Sequence, residues 1–140
     1  TLKTKSFKAL KGQLPWPADG RIVSKFGRQW NPKLKTTTEN PGVDIKGKPG
    51  SSIRSILGGV VTTITYIRGY GTTIIIDHGG GFYTVYSHVS NIQINVDSQV
   101  RNGDVIAYMG DSGSVNGTKL HFEIWGKGQK LDPEKWLIKR

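Results

Sequence analysis

The stretch that most constrains the fold is Val60 to Ile67, where every residue is β-branched or aromatic. Such side chains favour extended backbone and lose rotamer freedom in a helix. The turn Gly69-Tyr70-Gly71 follows, and Thr72 to Asp77 supplies a second run of similar composition. Two such runs joined by a short glycine-containing turn predict a long β-hairpin.

The rest of the chain repeats this pattern in shorter pieces. Strands are predicted at 21–26, 43–45, 52–56, 82–88, 96–100, 105–109 and 119–125. Residues 28–39 are interpreted as a polar loop, and residues 132–136 as a short helix with Asp132 as N-cap and Pro133 at its first position. Many short strands separated by turn glycines predict an all-β sandwich or barrel, which 140 residues build as one domain.

The first twelve residues differ from this pattern because they carry four lysines and few large apolar side chains. We interpret 1–12 as a linker or the end of an upstream helix, and expect it to be poorly anchored. The proline-rich segment Gln13 to Pro17 then marks the start of a domain predicted over 13–140.

The formal net charge of +10 is consistent either with solubility or with polyanionic partners. The basic residues are spread along the chain and not interleaved with aromatics in one stripe, which argues against a nucleic-acid partner. No apolar run approaches the length of a membrane-spanning helix. The chain has no cysteines, which excludes disulfides, thiolate metal sites and thiol nucleophiles.

Only three histidines are available for chemistry. His121 shares one face of its strand with Lys119 and Glu123, which makes that face either a solvated surface or the floor of a cleft. His78 ends a strand, where we expect it to form structural hydrogen bonds. His88 ends another strand and is a candidate for acid–base work or for a structural role.

Several short motifs carry a resemblance in their joint order: Gly42-Val43-Asp44-Ile45, Gly58-Gly59-Val60-Val61, Tyr70-Gly71, Ile76-Asp77-His78-Gly79, Tyr86-Ser87-His88-Val89-Ser90, Val100 to Ala107 and Leu120-His121-Phe122-Glu123. Together they resemble the LytM-type (lysostaphin-like) zinc metallopeptidase domain over roughly residues 14–137. The overall pattern is most similar to the EnvC-type murein hydrolase activators. The fold implied is the LytM-type β-sandwich, or barrel-sandwich hybrid, with a short C-terminal helix.

In active members of that family, H-x-G-x-D supplies a histidine and an aspartate to zinc. A late H-x-H supplies the third ligand and a catalytic base, and a Tyr-x-His segment assists the transition state. Carried over by position, Asp44, His88 and His121 are retained, whereas Asn40 and Lys119 replace histidines.

Both replacements weaken a metal site, because catalytic zinc is typically held by three protein ligands. An ammonium at about 4 Å repels a cation by roughly 4 kcal/mol per unit of ion charge at an effective dielectric of about 20. We therefore expect a degenerate site with no catalytic residues and no cofactor. Any residual zinc would rely on Asp44 and His121. Lys119 is predicted to pair with Asp44 in place of the lost metal charge.

The resemblance thus implies a non-catalytic domain that binds and activates a peptidoglycan (N-acetylmuramoyl-L-alanine) amidase in cell-wall hydrolysis and cell separation. It implies a place in the periplasm or cell envelope and peptidoglycan as a second partner. The former active-site groove would receive the amidase; its predicted residues are Asn40, Asp44, Arg68, Tyr70, His88, Lys119 and His121.

Three other interpretations stay open. A working zinc endopeptidase would hold zinc with Asn40, Asp44 and His121. A catalytically dead module would attach to wall glycan or teichoic polymer without activating anything. A lipoyl- or biotinyl-type carrier is suggested by residues 96–107, although no lysine lies in the hairpin context that modification needs.

Overall fold

The computed structural model describes residues 6–110 and 117–140. The described chain forms thirteen strands, one 3-10 turn and one short helix. In chain order these are the 3-10 turn Lys8–Leu10, β1 Arg21–Ser24, β2 Gly27–Asn31, β3 Thr36–Asn40, β4 Val43–Lys46, β5 Ser52–Arg54, β6 Gly59–Ile67, β7 Gly71–Gly79, β8 Phe82–Ser87, β9 Val89–Ser90, β10 Gln99–Val100, β11 Val105–Met109, β12 Lys119–Gly126, β13 Gln129–Leu131 and α1 Pro133–Trp136.

The strands form one large sheet and two small ones. The large sheet has eight strands in the order β1-β4-β12-β8-β7-β6-β10, with β13 paired to β12. The second sheet has the order β5-β11-β9, and β2 and β3 form a separate hairpin. One apolar core contains residues of the large sheet, such as Ile45, Ile74 and Phe122, together with Ile53 and Ile106 of the second sheet. The predicted all-β sandwich is confirmed.

The predicted long hairpin is β6 and β7. The two strands pair antiparallel from Val60 opposite Asp77 to Ile67 opposite Gly71. Ile74 and Ile76 of β7 are fully buried, which explains why this run is so apolar. The hairpin ends at Gly69 and Tyr70, next to the polar face described below.

Residues 28–39 form a hairpin, so the polar loop predicted there is wrong. β2 and β3 pair in register from Gly27 opposite Asn40 to Asn31 opposite Thr36. The Asn31 side-chain oxygen accepts hydrogen bonds from the backbone N–H groups of Lys33 and Leu34 and so closes the turn. Almost every residue of the hairpin is exposed, so no apolar–polar alternation marked it in the sequence.

Several other boundaries also differ from the predictions. The strands predicted at 52–56 and 96–100 are shorter, at Ser52–Arg54 and Gln99–Val100, and β13 was not predicted. The helix at the C-terminal end is confirmed: the carboxylate of Asp132 accepts a 3.1 Å hydrogen bond from the backbone N–H of Glu134. No helix in the described part of the chain is long and apolar enough to cross a membrane.

Residues 6–12 pack onto the domain, so the expectation of a poorly anchored segment is wrong for them. Phe7 is only 2% exposed and stacks on Phe82 with ring centroids 4.9 Å apart. Its ring also lies 5.4 Å from that of Trp136 and 5.2 Å from that of His78. One large aromatic side chain thus anchors the segment. The domain boundary at residue 13 stays a prediction.

Candidate functional site

The polar face of β4 and β12 brings together residues far apart in the chain. His121 of β12 lies directly opposite Asp44 of β4, and Lys119 lies opposite Lys46. Val43 and Ile45 are fully buried, so the alternation of the strand places Asp44 on the other face. The sequence pattern predicted this orientation.

A continuous chain of ion pairs and hydrogen bonds runs across this face. Lys119 Nζ lies 3.0 Å from Asp44 Oδ2, and His121 Nδ1 lies 2.6 Å from Asp44 Oδ1. On the other side of the ring, His121 Nε2 lies 2.8 Å from Glu123 Oε2. The Trp125 indole N–H donates a 2.7 Å hydrogen bond to Glu123 Oε1. The predicted pairing of Lys119 with Asp44 is confirmed.

The protonation states follow from these contacts. Burial alone would raise the pKa of Asp44, but hydrogen bonds from His121 and Lys119 outweigh it and lower the pKa. Burial likewise favours a higher pKa for Glu123, but hydrogen bonds from His121 and Trp125 lower it. Burial opposes the charge on His121, yet its hydrogen bonds to both carboxylates raise its pKa above the ordinary value.

His121 therefore acts as a double donor. A neutral imidazole has one N–H, whereas an imidazolium has two, one for each flanking carboxylate. The buried part of the face then holds two cations, Lys119 and His121, and two anions, Asp44 and Glu123, and the exposed Lys130 lies 3.9 Å from Glu123. This balance compensates the charge of side chains that are at most 16% exposed.

Both polar atoms of the Asn40 side chain form hydrogen bonds, and one of these bonds holds the turn between β3 and β4. Its amide NH₂ donates a 2.9 Å hydrogen bond to Ser24 Oγ, and its side-chain oxygen accepts a 3.1 Å hydrogen bond from the backbone N–H of Gly42. A Cβ at Gly42 would overlap the carbonyl oxygen of Phe122. The turn between β3 and β4 must therefore pass close to β12.

Tyr70 and His88 complete a groove of about 220 Å³ over this face. The Tyr70 ring lies 4.8 Å from that of His121 and 6.4 Å from that of His88. His88 is 3% exposed, has a positive φ of 63° and donates its backbone N–H to the Tyr70 carbonyl oxygen at 2.8 Å. The groove is lined by Ser24, Thr38, Glu39, Asn40, Pro41, Asp44, Gly69, Tyr70, His88, Lys119 and His121.

The structure thus unites six of the seven predicted groove residues. Arg68 is exposed in the turn after β6 and does not line the groove. The predicted structural role of His78 is also confirmed. Its Nδ1 lies 2.8 Å from the Gly58 carbonyl oxygen, and its Nε2 lies 2.7 Å from Thr84 Oγ1.

Glu123 and Trp125 were not predicted as part of the site. The period-2 pattern placed Glu123 on the face of His121, so the sequence did indicate that Glu123 lies near the site. What the sequence did not contain was the side-chain conformation that directs a Glu123 oxygen at His121 Nε2. Trp125 then supplies a donor for the other Glu123 oxygen.

As they stand, these residues do not fit a zinc ion. Asp44 and both nitrogens of His121 are committed to other partners, and Asn40 is held by Ser24 and Gly42. A protonated imidazole has no lone pair for a metal. Among residues 6–110 and 117–140, no three His, Asp or Glu side chains are grouped as a metal site.

A family model and similar proteins of known sequence point to the same family. The model of "Peptidase family M23" matches residues 38–133. The chain is 32% identical to "Murein hydrolase activator EnvC" of Escherichia coli K12, over 96% of the chain and 31% of that protein. It is 35% identical to "Murein hydrolase activator NlpD" of Salmonella typhimurium, over 89% of the chain and 31% of that protein.

An enzyme is also among the relatives. The "DD-carboxypeptidase/endopeptidase Mpg" of Neisseria meningitidis is 34% identical, over 81% of the chain and 26% of that protein. The chain spans about a third of the length of the activators that it matches. Similarity to them therefore concerns one part of longer proteins.

Solved structures agree on the fold. A zinc-containing peptidase from Vibrio cholerae superimposes with a TM-score of 0.81 at 24% identity, over 92% of this chain and 41% of that one. Csd3 of Helicobacter pylori gives a TM-score of 0.76 at 30% identity, over 91% of this chain and 35% of that one. The first of these likenesses concerns the fold alone.

Proposed function

The chain belongs to peptidase family M23, and we propose that it is a non-catalytic member that binds and activates a peptidoglycan (N-acetylmuramoyl-L-alanine) amidase. The observation that carries this proposal is the closed ion network of Lys119, Asp44, His121 and Glu123. We place the domain in the periplasm or cell envelope, where murein is hydrolysed during cell separation.

The network argues against hydrolysis on two counts. A zinc-dependent mechanism needs three protein ligands and a metal-bound water. Here Asp44 is paired with the ammonium of Lys119, and both ring nitrogens of His121 contact carboxylates that raise its pKa despite burial. Neither position at which the resemblance implies a histidine supplies a base, because Asn40 is an amide and the Lys119 ammonium is paired with Asp44.

The relatives support a binding role. Two of those described above are named murein hydrolase activators, and the chain aligns with them over most of its own length. Their names speak of activation and not of peptide cleavage. We carry this role to the present chain as part of the proposal.

The walls of the groove provide a surface for a protein partner. One wall is the β2–β3 hairpin, on which Trp30 is 61% and Leu34 is 70% exposed. The other wall is the turn of the β6–β7 hairpin, where Gly69 and Tyr70 line the groove. Exposed aromatic side chains such as that of Trp30 are enriched in protein interfaces relative to the rest of the surface.

An activation assay tests the proposal. Purified chain is added to a murein amidase, and release of peptides from murein is measured with wild type, with Tyr70→Ala and with Tyr108→Ala. Tyr70 lines the groove, whereas Tyr108 is a half-buried tyrosine on β11 of the second sheet. We expect activation by wild type and by the Tyr108 variant, and reduced activation by the Tyr70 variant. Equal activation by all three would contradict a role for the groove.

A second candidate function is a zinc endopeptidase, which the similarity to Mpg favours. It requires zinc held by Asn40, Asp44 and His121. Metal analysis of the purified protein together with clearing of cell-wall suspensions distinguishes the two candidates. Near-stoichiometric zinc and clearing without an amidase would replace our proposal with this one.

A further inference from the structure

A row of three cations crosses the edge of the large sheet. Arg21 of β1 lies opposite Lys46 of β4, and Lys46 lies opposite Lys119 of β12. Residues directly opposite each other in neighbouring strands project from the same face, with Cβ atoms about 5 Å apart. Like charges in such positions destabilise a sheet.

Only one of these cations is compensated within the described part of the chain. Lys119 pairs with Asp44 at 3.0 Å. Arg21 and Lys46 are exposed, and neither has a carboxylate within 4.0 Å among the described residues. The sheet therefore keeps two neighbouring positive charges that its own side chains do not neutralise.

Two adjoining clefts follow this row away from the groove. The first, of about 280 Å³, is lined by Arg21, Lys46 and Lys119 and shares Ser24 and Asp44 with the groove. The second, of about 600 Å³, is also lined by Arg21 and Lys46 and continues to Lys48 and Ser51, with Asp19 as its one carboxylate. A cationic track thus leads from the groove along the sheet edge.

We propose that the track of Arg21, Lys46 and Lys48 binds an oxyanion-bearing strand of a cell-wall polymer and holds the domain on the wall while the groove engages the amidase. The wall context rests on the proposed function, whereas the anion site rests on the charges alone. An anion between Arg21 and Lys46 relieves their repulsion, and the arginine offers a fork of donors to one carboxylate or phosphate.

Two sources share this chemistry. Peptide stems of murein carry carboxylates, and teichoic polymers carry phosphodiesters. Co-sedimentation with purified murein distinguishes them when it is repeated with murein whose carboxylates have been amidated and with poly(glycerol phosphate) as competitor. Loss of binding on amidation identifies carboxylates, whereas binding that survives amidation and is removed by the polymer identifies phosphates; either result supports the anion site.

The decisive variant is Arg21→Gln with Lys46→Gln, matched by Lys8→Gln with Lys135→Gln. Both pairs remove two exposed cations, but Lys8 and Lys135 lie outside the track. We expect the first pair to weaken sedimentation about threefold to tenfold and to flatten its dependence on salt, as expected for lost exposed ion pairs. The control pair should bind like wild type. Equal binding by both double variants, or equal loss in both, would overturn the proposal.

Two further measurements show whether a loss of murein binding reflects misfolding, and whether the anion site is independent of the proposed activator function. Urea unfolding should show the Arg21/Lys46 variant at least as stable as wild type, because a like-charge contact has been removed. Activation of the amidase on a soluble muropeptide should be unchanged in that variant, because the groove is intact. If wild-type protein binds murein through the track but does not activate an amidase, the proposed activator function is refuted, and the proposed anion site is not.

Discussion

Lys119 places an ammonium 3.0 Å from Asp44, at a position where the family resemblance implies a histidine. The side chains of Lys119 and Asp44 are 16% and 15% exposed, so water solvates this pair poorly. Truncation of the lysine leaves a carboxylate that must rely on His121 alone. The contribution of Lys119 can therefore be measured by substitution.

We expect Lys119→Ala to lower the free energy of unfolding by about 1–3 kcal/mol, the cost of an unsatisfied partner. Lys130→Ala is the control, because the Lys130 side chain is 54% exposed and lies 3.9 Å from Glu123. Its loss should cost less than about 1 kcal/mol. Urea unfolding measures both. Equal stabilities for the two variants would mean that Lys119 does not stabilise the face.

The ion network also predicts a pH dependence of stability. The pKa values of Asp44 and Glu123 lie below 3.8 and 4.5 in the folded chain, so their contribution is lost as pH falls through the lowered values. The pKa of His121 lies above 6.5, so its contribution is full below 6.5 and is lost as pH rises through the raised value. All three contribute fully between about pH 4.5 and 6.5.

The stability difference between wild type and His121→Gln should therefore be largest in that window and shrink at higher pH. Asp44 and Glu123 contact the ring of His121, Lys119 pairs with Asp44, and the Tyr70 ring lies 4.8 Å from that of His121. His78→Gln is the control with the opposite sign, because burial lowers the pKa of His78 and its contribution is lost as pH falls below 6.5. A difference for the His121 variant that grows with pH would contradict the imidazolium.

The sequence predicted part of this site for a clear reason. Alternation along a strand fixes which side chains share a face, so Asp44 could be placed with Lys119 and His121. It does not fix which atoms meet. The contact between His121 and Glu123 depends on rotamers and on the 2.7 Å hydrogen bond from Trp125, which no spacing rule specifies.

At the scale of elements, predictions succeeded where one face of a strand is buried. The hairpin of β6 and β7 and the strand β11 lie close to their predicted bounds because apolar and β-branched runs mark them, and Val61, Ile76 and Ile106 within those runs are buried. The β2–β3 hairpin was missed because its exposed faces carry Thr, Lys and Glu without alternation. That hairpin is held by the hydrogen bonds of its turn and of its strand pair, which cannot be deduced from its amino-acid composition.

The 3-10 turn at Lys8–Leu10 is another element that the composition did not predict. It holds to the domain through Phe7, which packs on Phe82, Trp136 and His78. We expect Phe7→Ala to destabilise the domain by about 3–5 kcal/mol, the usual cost of deleting a buried aromatic ring. Lys8→Ala in the same turn is exposed and should change stability by less than about 0.5 kcal/mol. Urea unfolding of the two variants checks this, and a small loss for Phe7→Ala would show that the segment is dispensable.

At the scale of the whole molecule, the polar face of the large sheet carries internal ion pairs at the positions where the family resemblance implies metal ligands. Introducing the histidines that the family resemblance implies at positions 40 and 119 therefore tests whether Asn40 and Lys119 prevent zinc binding at this face. Asn40→His alone leaves the Lys119 ammonium on Asp44 and the imidazolium at His121 in place. Only removal of that ammonium frees Asp44 for a metal.

We accordingly expect Asn40→His combined with Lys119→His to bind zinc, and Asn40→His alone and wild type to bind little. The double variant supplies two new imidazoles beside Asp44 and His121, which meets the three-ligand requirement of a zinc site. Metal analysis gives the stoichiometry, and zinc at 100 times its dissociation constant should raise the unfolding free energy of the double variant by about 2.7 kcal/mol. Wild-type stability should not respond to zinc or to a chelator. A wild-type chain that gains as much from zinc as the double variant would show that Lys119 and Asn40 do not close the site.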